Sequence, residues 1–353
     1  MPVDDVFVLF GGASSERRVS VASAQHMLAL LPKARAFFES PLGSVHAVKP
    51  EDLAAFQQPF ETDFVPKAAA RFPNITAMLD SSYVRGAVFL LAYHGTFGED
   101  GQVQLMLESR GLAFTGSGAD ASAKAFDKTW AKKLVFEHGV LCAEQVDLPP
   151  RGAAAIEAAL IGLLQRHGRA VAKPVAGGSS VGLYHLLNAQ DAKDAAPKIA
   201  EATEAYLAEA FVEGTEVTVG IVDGVEGSRA LPVTEVRIDA GRAFDFDGKY
   251  LGKGTLEITP AELPAETIAD AQQVALTAHK TLGCYGYSRT DVICSPRGPV
   301  FLEINTLPGM TRRSFIPQQL AAEGTSVRDF LEAQLALGRM RAKINRMEAE
   351  AGR

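Results

Sequence analysis

The chain has 353 residues, 47% of them hydrophobic, enough to bury sizeable cores and too many for a disordered polymer. A formal net charge of −7 with no long Lys/Arg run argues against a nucleic-acid surface. Cys142, Cys284 and Cys294 are odd in number and lack CxxC spacing, so neither a disulfide framework nor a zinc knuckle is expected, and a cytoplasmic location fits.

The acidic start, Met1-Pro2-Val3-Asp4-Asp5, does not read as a signal peptide. The longest apolar run, Ala87 to Tyr93, is too short to span a bilayer, so no membrane partner is expected. Val6 to Phe10 predicts a strand, Gly11 to Arg18 a glycine turn, and Val21 to Leu31 a helix with Ser14 or Ser15 as N-cap. These glycines lack GxGxxG spacing, and no convincing second strand ending in an acid follows, which disfavours a dinucleotide site. Glu16 stands where the helix begins, complementing the helix dipole or aimed at a substrate ammonium. From about residue 32 to 85 the pattern is weak, with a strand at Val45 to Val48 and a short helix from Pro50 to Gln57. Ala87 to Tyr93 predicts a buried strand running into His94-Gly95-Thr96-Phe97-Gly98-Glu99-Asp100-Gly101. Loops at the carboxyl ends of parallel strands bind ligands in α/β sheets, which makes His94 a candidate contact. Gln102 to Ser109 predicts a helix, and a further strand ends at Phe114-Thr115-Gly116-Ser117-Gly118.

A basic amphipathic helix opens at Asp127-Lys128-Thr129-Trp130-Ala131-Lys132-Lys133-Leu134 and predicts a second domain. After a helix at Ala153 to Gln165 come the strand Ala170 to Lys173, the loop Pro174 to Gly182, and strand pattern to Leu187. A Gly/Ser loop preceded by lysine suits phosphates, yet GK[ST] is missing and glycine hairpins are common. Ala205 to Phe211, Val217 to Val222 and Leu231 to Ile238 predict strands, and Phe244 to Gly254 a long loop over a site. Pro264 to Leu282 predicts an amphipathic helix; Pro317 to Ala322 and Val327 to Met340 are closing helices, with a charged tail beyond.

Between them lies Arg289 to Ser314. Its alternation and the turn residues Ser295-Pro296-Arg297-Gly298 predict a hairpin; with the turn centred on Arg297, Asp291 faces Glu303 and Arg289 faces Asn305. Two carboxylates and an amide oxygen on one face suit Mg²⁺; a solvated hairpin edge is the alternative.

Taken together, FGGASSERRVS, HGTFGEDG, TGSG, DKTWAKKL, KPVAGGSSVG, EAFVEGTEVTV, DGKYLGKGT and RTDV…LEINTLPGMTRRS resemble the D-alanine–D-alanine ligases of the ATP-grasp superfamily. The resemblance implies an α/β, three-domain ATP-grasp architecture: a Rossmann-like domain over 1–126, a central domain over 127–212 and a C-terminal domain over 213–353. It implies ATP as co-substrate, D-alanine as the acid and the amine, Mg²⁺ (two ions, with Mn²⁺ as a substitute) and a homodimer. By the match, Lys128 and Lys173 hold ATP phosphates, Lys249 reaches the transferred phosphoryl group, and Glu209, the backbone near Val212 and Glu216 bind the nucleoside. Asp291, Glu303 and Asn305 hold the metal; Arg289 and the Gly309 N–H stabilise the oxyanion; Ser314 binds the second substrate's carboxylate. Glu16 takes the first substrate's ammonium, His94 shapes its pocket, and Ser179 and Tyr250 link to Glu16 across the two loops. Both loops are expected to be mobile without ligand.

Three departures stand out. Arg312-Arg313 replaces a short polar residue and histidine before the serine, Ala176-Gly177 replaces charged residues in the glycine loop, and Ala210 replaces a lysine beside the adenine. Arg313 pointing into the pocket would strengthen carboxylate binding and admit a larger or acidic second amino acid; pointing outward, as is expected, it leaves an ordinary second-substrate pocket. Tyr250 favours an amine nucleophile over a hydroxyl.

Overall fold

A computed structural model describes residues 6–178, 181–238 and 255–351. It is α/β throughout, built on three sheets. Within the first lie β1 (Val6–Gly11), α1 (Arg17–Leu30), β2 (Arg35–Glu39), β3 (Val45–Val48), α2 (Pro50–Ala54), α3 (Ile75–Leu79), β4 (Val88–Leu91), α4 (Gln102–Glu108), β5 (Ala113–Phe114) and α5 (Ala119–Phe126). Its strand order is β3-β2-β1-β4-β5. All pairings are parallel except the β2–β3 edge. Every residue of β1 and β4 is buried, as near-continuous apolar strands covered on both faces require.

The second strand, which the sequence pattern did not reveal, does end in an acid. Arg35–Glu39 is short and opens on a charged residue, so its apolar core reads weakly. Glu39 is nevertheless committed inside the protein: the Tyr93 hydroxyl donates to its Oε2 at 2.8 Å. Burial raises the Glu39 pKa, and the Tyr93 hydrogen bond only tempers the shift. Beside it Gly11 has φ +96°, and a Cβ there would sit 2.3 Å from the Glu39 carbonyl oxygen. Gly11→Ala is therefore expected to lose roughly 3 kcal/mol or more, through left-handed strain plus overpacking. An unchanged urea midpoint would show that this corner tolerates a side chain.

The middle of the chain forms α6 (Lys128–Glu137), β6 (Gln145–Asp147), α7 (Ala153–His167), β7 (Ala170–Pro174), β8 (Tyr184–Leu186), α8 (Ala189–Glu201) and β9 (Tyr206–Ala210). The strands run β6-β9-β7-β8, all antiparallel. Ile156, Leu160 and Leu163 of α7 and Ala192 and Ala196 of α8 pack with Ala172 and Ala208 on one face. Alternation sends Gln145, Lys173 and Glu209 to the other. The sequence reading left α8 unassigned; Asn188 and Asp191 start it with a reciprocal capping box built from a short amide and a short acid.

The third sheet comprises β10 (Thr215–Gly224), β11 (Gly227–Ala230), β12 (Thr234–Ile238), β13 (Thr255–Ile258), α9 (Ala265–Thr281), β14 (Tyr287–Ser295) and β15 (Gly298–Asn305), followed by α10 (Phe315–Ala322) and α11 (Val327–Ala351). Its order is β13-β12-β10-β14-β15, with β11 paired to β10. Ala131 and Val135 of α6 pack with Ala278, Phe301 and Ile304, so the helix carrying Lys128 is held against the β14–β15 hairpin. Tyr287, Met310, Ile316 and Phe330 join the core of the first sheet, fixing the hairpin's far end against α1 and its neighbours. Among the described residues no helix is long and apolar enough to cross a membrane.

Candidate active site

The β14–β15 hairpin pairs Arg289 with Asn305 and Asp291 with Glu303, the facing pairs expected of a turn centred on Arg297. A bulge makes this possible. The turn itself is Pro296-Arg297 with Ser295 facing Gly298, and that register runs only as far as Val292 facing Phe301. Continued without interruption it would set Leu302 against Asp291 and turn Glu303 to the opposite face. The register shift between Asp291 and Val292 absorbs one residue and returns both carboxylates to one side.

Asp291 is buried and fully engaged. Thr218 Oγ1 donates to its Oδ1 at 2.6 Å, and Arg289 donates through Nε (3.0 Å) to Oδ1 and through Nη2 (2.8 Å) to Oδ2. This two-pronged pairing fixes the guanidinium plane, whose outer side lies over the Phe315 ring. Asn305 Oδ1 accepts from the Leu307 N–H at 2.7 Å, turning the strand exit into Pro308-Gly309. Glu303 Oε2 lies 3.5 Å from Lys128 Nζ, which also donates to the Gly177 carbonyl at 2.5 Å. Lys128 therefore joins the hairpin's acidic face to the glycine loop.

Behind it is a cluster that sequence reasoning half missed. Glu209 is held between Lys132 and Lys173; the Lys173 contact is 3.1 Å and the Lys132 contact is shorter still. Burial alone would raise the Glu209 pKa, but the two ammoniums pull it below the ordinary value. Burial, with the neighbouring Lys173 charge, pushes Lys132 down to about 8 against the pull of Glu209. The available signal was spacing: Lys132 follows Lys128 by four residues on α6, one turn along the same face. Val212 and Lys132 border a second cavity of about 580 Å³. Glu216 lies on β10 facing Ile293 and Val236.

At the other end, Glu16 is wedged between two glycines. A Cβ on Gly95 would come within 2.8 Å of its Oε2, and one on Gly178 within 3.5 Å of its Oε1. The first substrate's expected ammonium partner thus abuts the glycine loop. Ser14 and Ser15 do not cap α1; Glu16 occupies that position without a side-chain cap, because the helix begins at Arg17 rather than near Val21. His94 is buried one step away, with Nε2 3.1 Å from Ser23 Oγ and Nδ1 3.2 Å from Glu99. Ser23 Oγ in turn accepts from the Met310 N–H at 3.3 Å, and His26 Nδ1 lies 2.7 Å from the Met310 carbonyl. Helix α1 therefore grips the segment that presents Gly309. A Cβ on Gly309 would meet Ser314 Oγ at 2.8 Å, and that oxygen accepts from the Thr311 N–H at 3.0 Å. Arg289, Gly309 and Ser314 open together onto a cavity of about 510 Å³.

Models of known families match both ends of the chain: "D-ala D-ala ligase N-terminus" over residues 5–117 and "D-ala D-ala ligase C-terminus" over 169–336. The D-alanine–D-alanine ligase of Leptospira interrogans serovar Lai is 34% identical across 96% of this chain and 99% of its own length. That of Nitrosomonas europaea is 36% identical across 92% and 93%. The chain belongs to the D-alanine–D-alanine ligase family. The Coxiella burnetii ligase shares its fold, with TM-score 0.80 at 23% identity over 98% of this chain and 97% of the other. The Bacillus anthracis ligase solved with ATP aligns at TM-score 0.71 and 25% identity over 96% and 98%. The fold is thus the ATP-grasp fold of this family.

Within the family frame, Ser179, Lys249 and Tyr250 lie outside the described residues, as does the 244–254 loop. Of the three departures, Ala210 sits at the end of β9, its N–H donating to the Glu144 carbonyl at 2.9 Å. In the glycine loop, Gly177 carries a positive φ of 108° and offers its carbonyl to Lys128. Arg312 and Arg313 are exposed, yet both border the 510 Å³ cavity beside Ser314.

Proposed function

We propose that the protein is an ATP-dependent ligase joining two D-alanines through a D-alanyl phosphate to give D-alanyl-D-alanine for peptidoglycan synthesis. The observation that carries this reading is the bulged hairpin. It sets Asp291, Glu303 and Asn305 on one face, with Lys128 at one end and Arg289, Gly309 and Ser314 at the other. We divide the chain at 126/127 and 212/213, with α6 bridging onto the third sheet.

In this reading the first D-alanine's carboxylate attacks the γ-phosphorus of ATP, the bond to the ADP oxygen breaks, and ADP leaves. The second amine then forms the C–N bond, phosphate departs with the electron pair of the acyl C–O bond, and the amine sheds its protons. Glu16 holds the first ammonium, and Ser314 the second carboxylate. Arg289 and the Gly309 N–H receive the charge that develops on the carbonyl oxygen. Lys128, Lys173 and Lys249 neutralise phosphates, while Glu209, Val212 and Glu216 seat the nucleoside. Ser179 and Tyr250 belong to the network around Glu16, where exclusion of water protects the acyl phosphate.

The donors also suit Mg²⁺. Among the described residues no three His, Cys, Asp or Glu side chains gather as a self-sufficient metal cluster. Two facing carboxylates and an amide oxygen, completed by substrate phosphates, match the habit of this ion. Asp291, Glu303 and Asn305 would hold it; when bound it neutralises charge on the transferring phosphoryl group. A cytoplasmic homodimer completes the proposal.

The test is ADP release across a panel of D- and L-amino acids, with products identified by mass. D-alanyl-D-alanine as the main product supports the reading; no ADP release with any amino acid overturns it. Arg313→His is expected to change the KM for the second D-alanine by less than about tenfold, or ~1.4 kcal/mol. Ser314 already serves that carboxylate, and a larger loss would make Arg313 a ligand of D-alanine itself.

A further inference from the structure

The cavity that holds Arg289, Gly309 and Ser314 measures about 510 Å³. That is the scale of pockets enclosing drug-sized ligands, roughly 300–1,000 Å³, and far more than an amino acid as small as D-alanine fills. Its remaining volume is not uniformly apolar. Arg312 and Arg313 border it on one side, with His26 of α1 and Glu257 of β13 on the others.

The charges in this space are unevenly matched. Arg289 is spoken for by Asp291. Among the described residues, no carboxylate lies within salt-bridge distance of the Arg312 or Arg313 guanidinium. Among the described residues Glu257 is the one acid on the cavity wall, and its Oε2 is held at 2.5 Å by the Gln318 side-chain amide. Both arginines are felt inside the cavity. Burial, and then the Arg312 charge, keeps the His26 pKa below its ordinary value against the pull of the Met310 carbonyl. Burial raises the Glu257 pKa, while the Gln318 bond and the Arg313 and Arg289 charges oppose it. Among the described residues, two arginines and one acid thus border the cavity onto which Arg289, Gly309 and Ser314 open.

We propose that this cavity accepts, as second substrate, D-amino acids with an anionic side chain, whose carboxylate pairs with Arg312 and Arg313. Guanidinium groups present parallel N–H donors that suit a carboxylate, and partial enclosure strengthens such pairs relative to open water. The inference rests on the ligase reading and leaves its chemistry unchanged. The same C–N bond forms, the same acyl C–O bond breaks, and only the amine's side chain differs.

The experiment holds D-alanine as first substrate and compares D-aspartate with D-asparagine, and D-glutamate with D-glutamine, by ADP release and mass identification of the dipeptide. At least one acid is expected to exceed its amide by about tenfold or more in kcat/KM. In the double variant Arg312→Gln/Arg313→Gln that ratio is expected to fall to about one, with D-alanyl-D-alanine formation changed less than about tenfold. Amides used as well as acids, or D-lysine preferred over both, would overturn the proposal. So would formation of D-alanyl-D-alanine alone, which leaves the ligase reading standing. Absence of ADP release even with D-alanine would instead fail the ligase reading itself.

Discussion

Glu303→Gln is expected to reduce turnover by about 10³-fold or more, the scale on which removal of one group facing developing charge acts. The change keeps the side chain's shape and removes its charge. Asp291 faces Glu303 across the hairpin but already accepts from Thr218 and twice from Arg289, so its own charge is partly spent. Glu303 Oε2 lies 3.5 Å from the Lys128 ammonium, at the end of the hairpin face where the phosphates are expected. The fold should stay intact, because the change keeps the side chain's shape and Lys128 retains its bond to the Gly177 carbonyl. Mg²⁺-dependent binding of ATP, followed by calorimetry, should weaken in parallel with turnover, a readout independent of chemistry. Near-normal turnover at saturating Mg²⁺ would remove Glu303 from the metal site.

What the sequence made legible, and what it hid, follows one physical division. Local signals placed the hairpin and its turn residues, but the turn is centred between Pro296 and Arg297 rather than on Arg297, and the expected facing pairs form only because a bulge absorbs the difference. The bulge at their base was not legible, because a two-residue and a centred turn predict the same facing carboxylates once one residue is absorbed. Strand β2 escaped because only four of its five residues are buried and the first is charged. Lys132 escaped for a different reason. A lysine on a basic helix reads as solvated until the strand that buries it is known, and Glu209 lies 77 positions away. The grip of Ser23 and His26 on Met310 is likewise invisible locally, since it joins α1 to a segment more than 280 residues later.

That hidden cluster carries the second large expectation. Glu209→Gln should destabilise the fold by roughly 3–5 kcal/mol near about pH 6, since it leaves the buried Lys132 ammonium and the half-buried Lys173 without their shared carboxylate. The loss should depend on pH in a defined direction. In the parent protein Lys132 is pushed down to about 8 from an ordinary 10.5. Below the folded value both states hold the proton and this group adds no pH dependence. Between the two values the unfolded chain binds the proton and the folded chain does not, so stability rises with pH. Without the Glu209 charge, burial and Lys173 act on Lys132 unopposed, and its folded pKa falls further. The variant therefore starts to recover at a lower pH, and the stability gap to the parent should narrow from about pH 6 to about pH 9, then stay level. Urea midpoints measured for both proteins at the two ends of that range give the comparison. A second substitution decides the cause: Lys132→Met added to Glu209→Gln should regain stability, because it deletes the orphaned charge and keeps the volume apolar. A gap that is the same at both pH values, or a double variant weaker than the single, would mean that Lys132 is solvated and that Glu209 is not the anchor holding the two lysines.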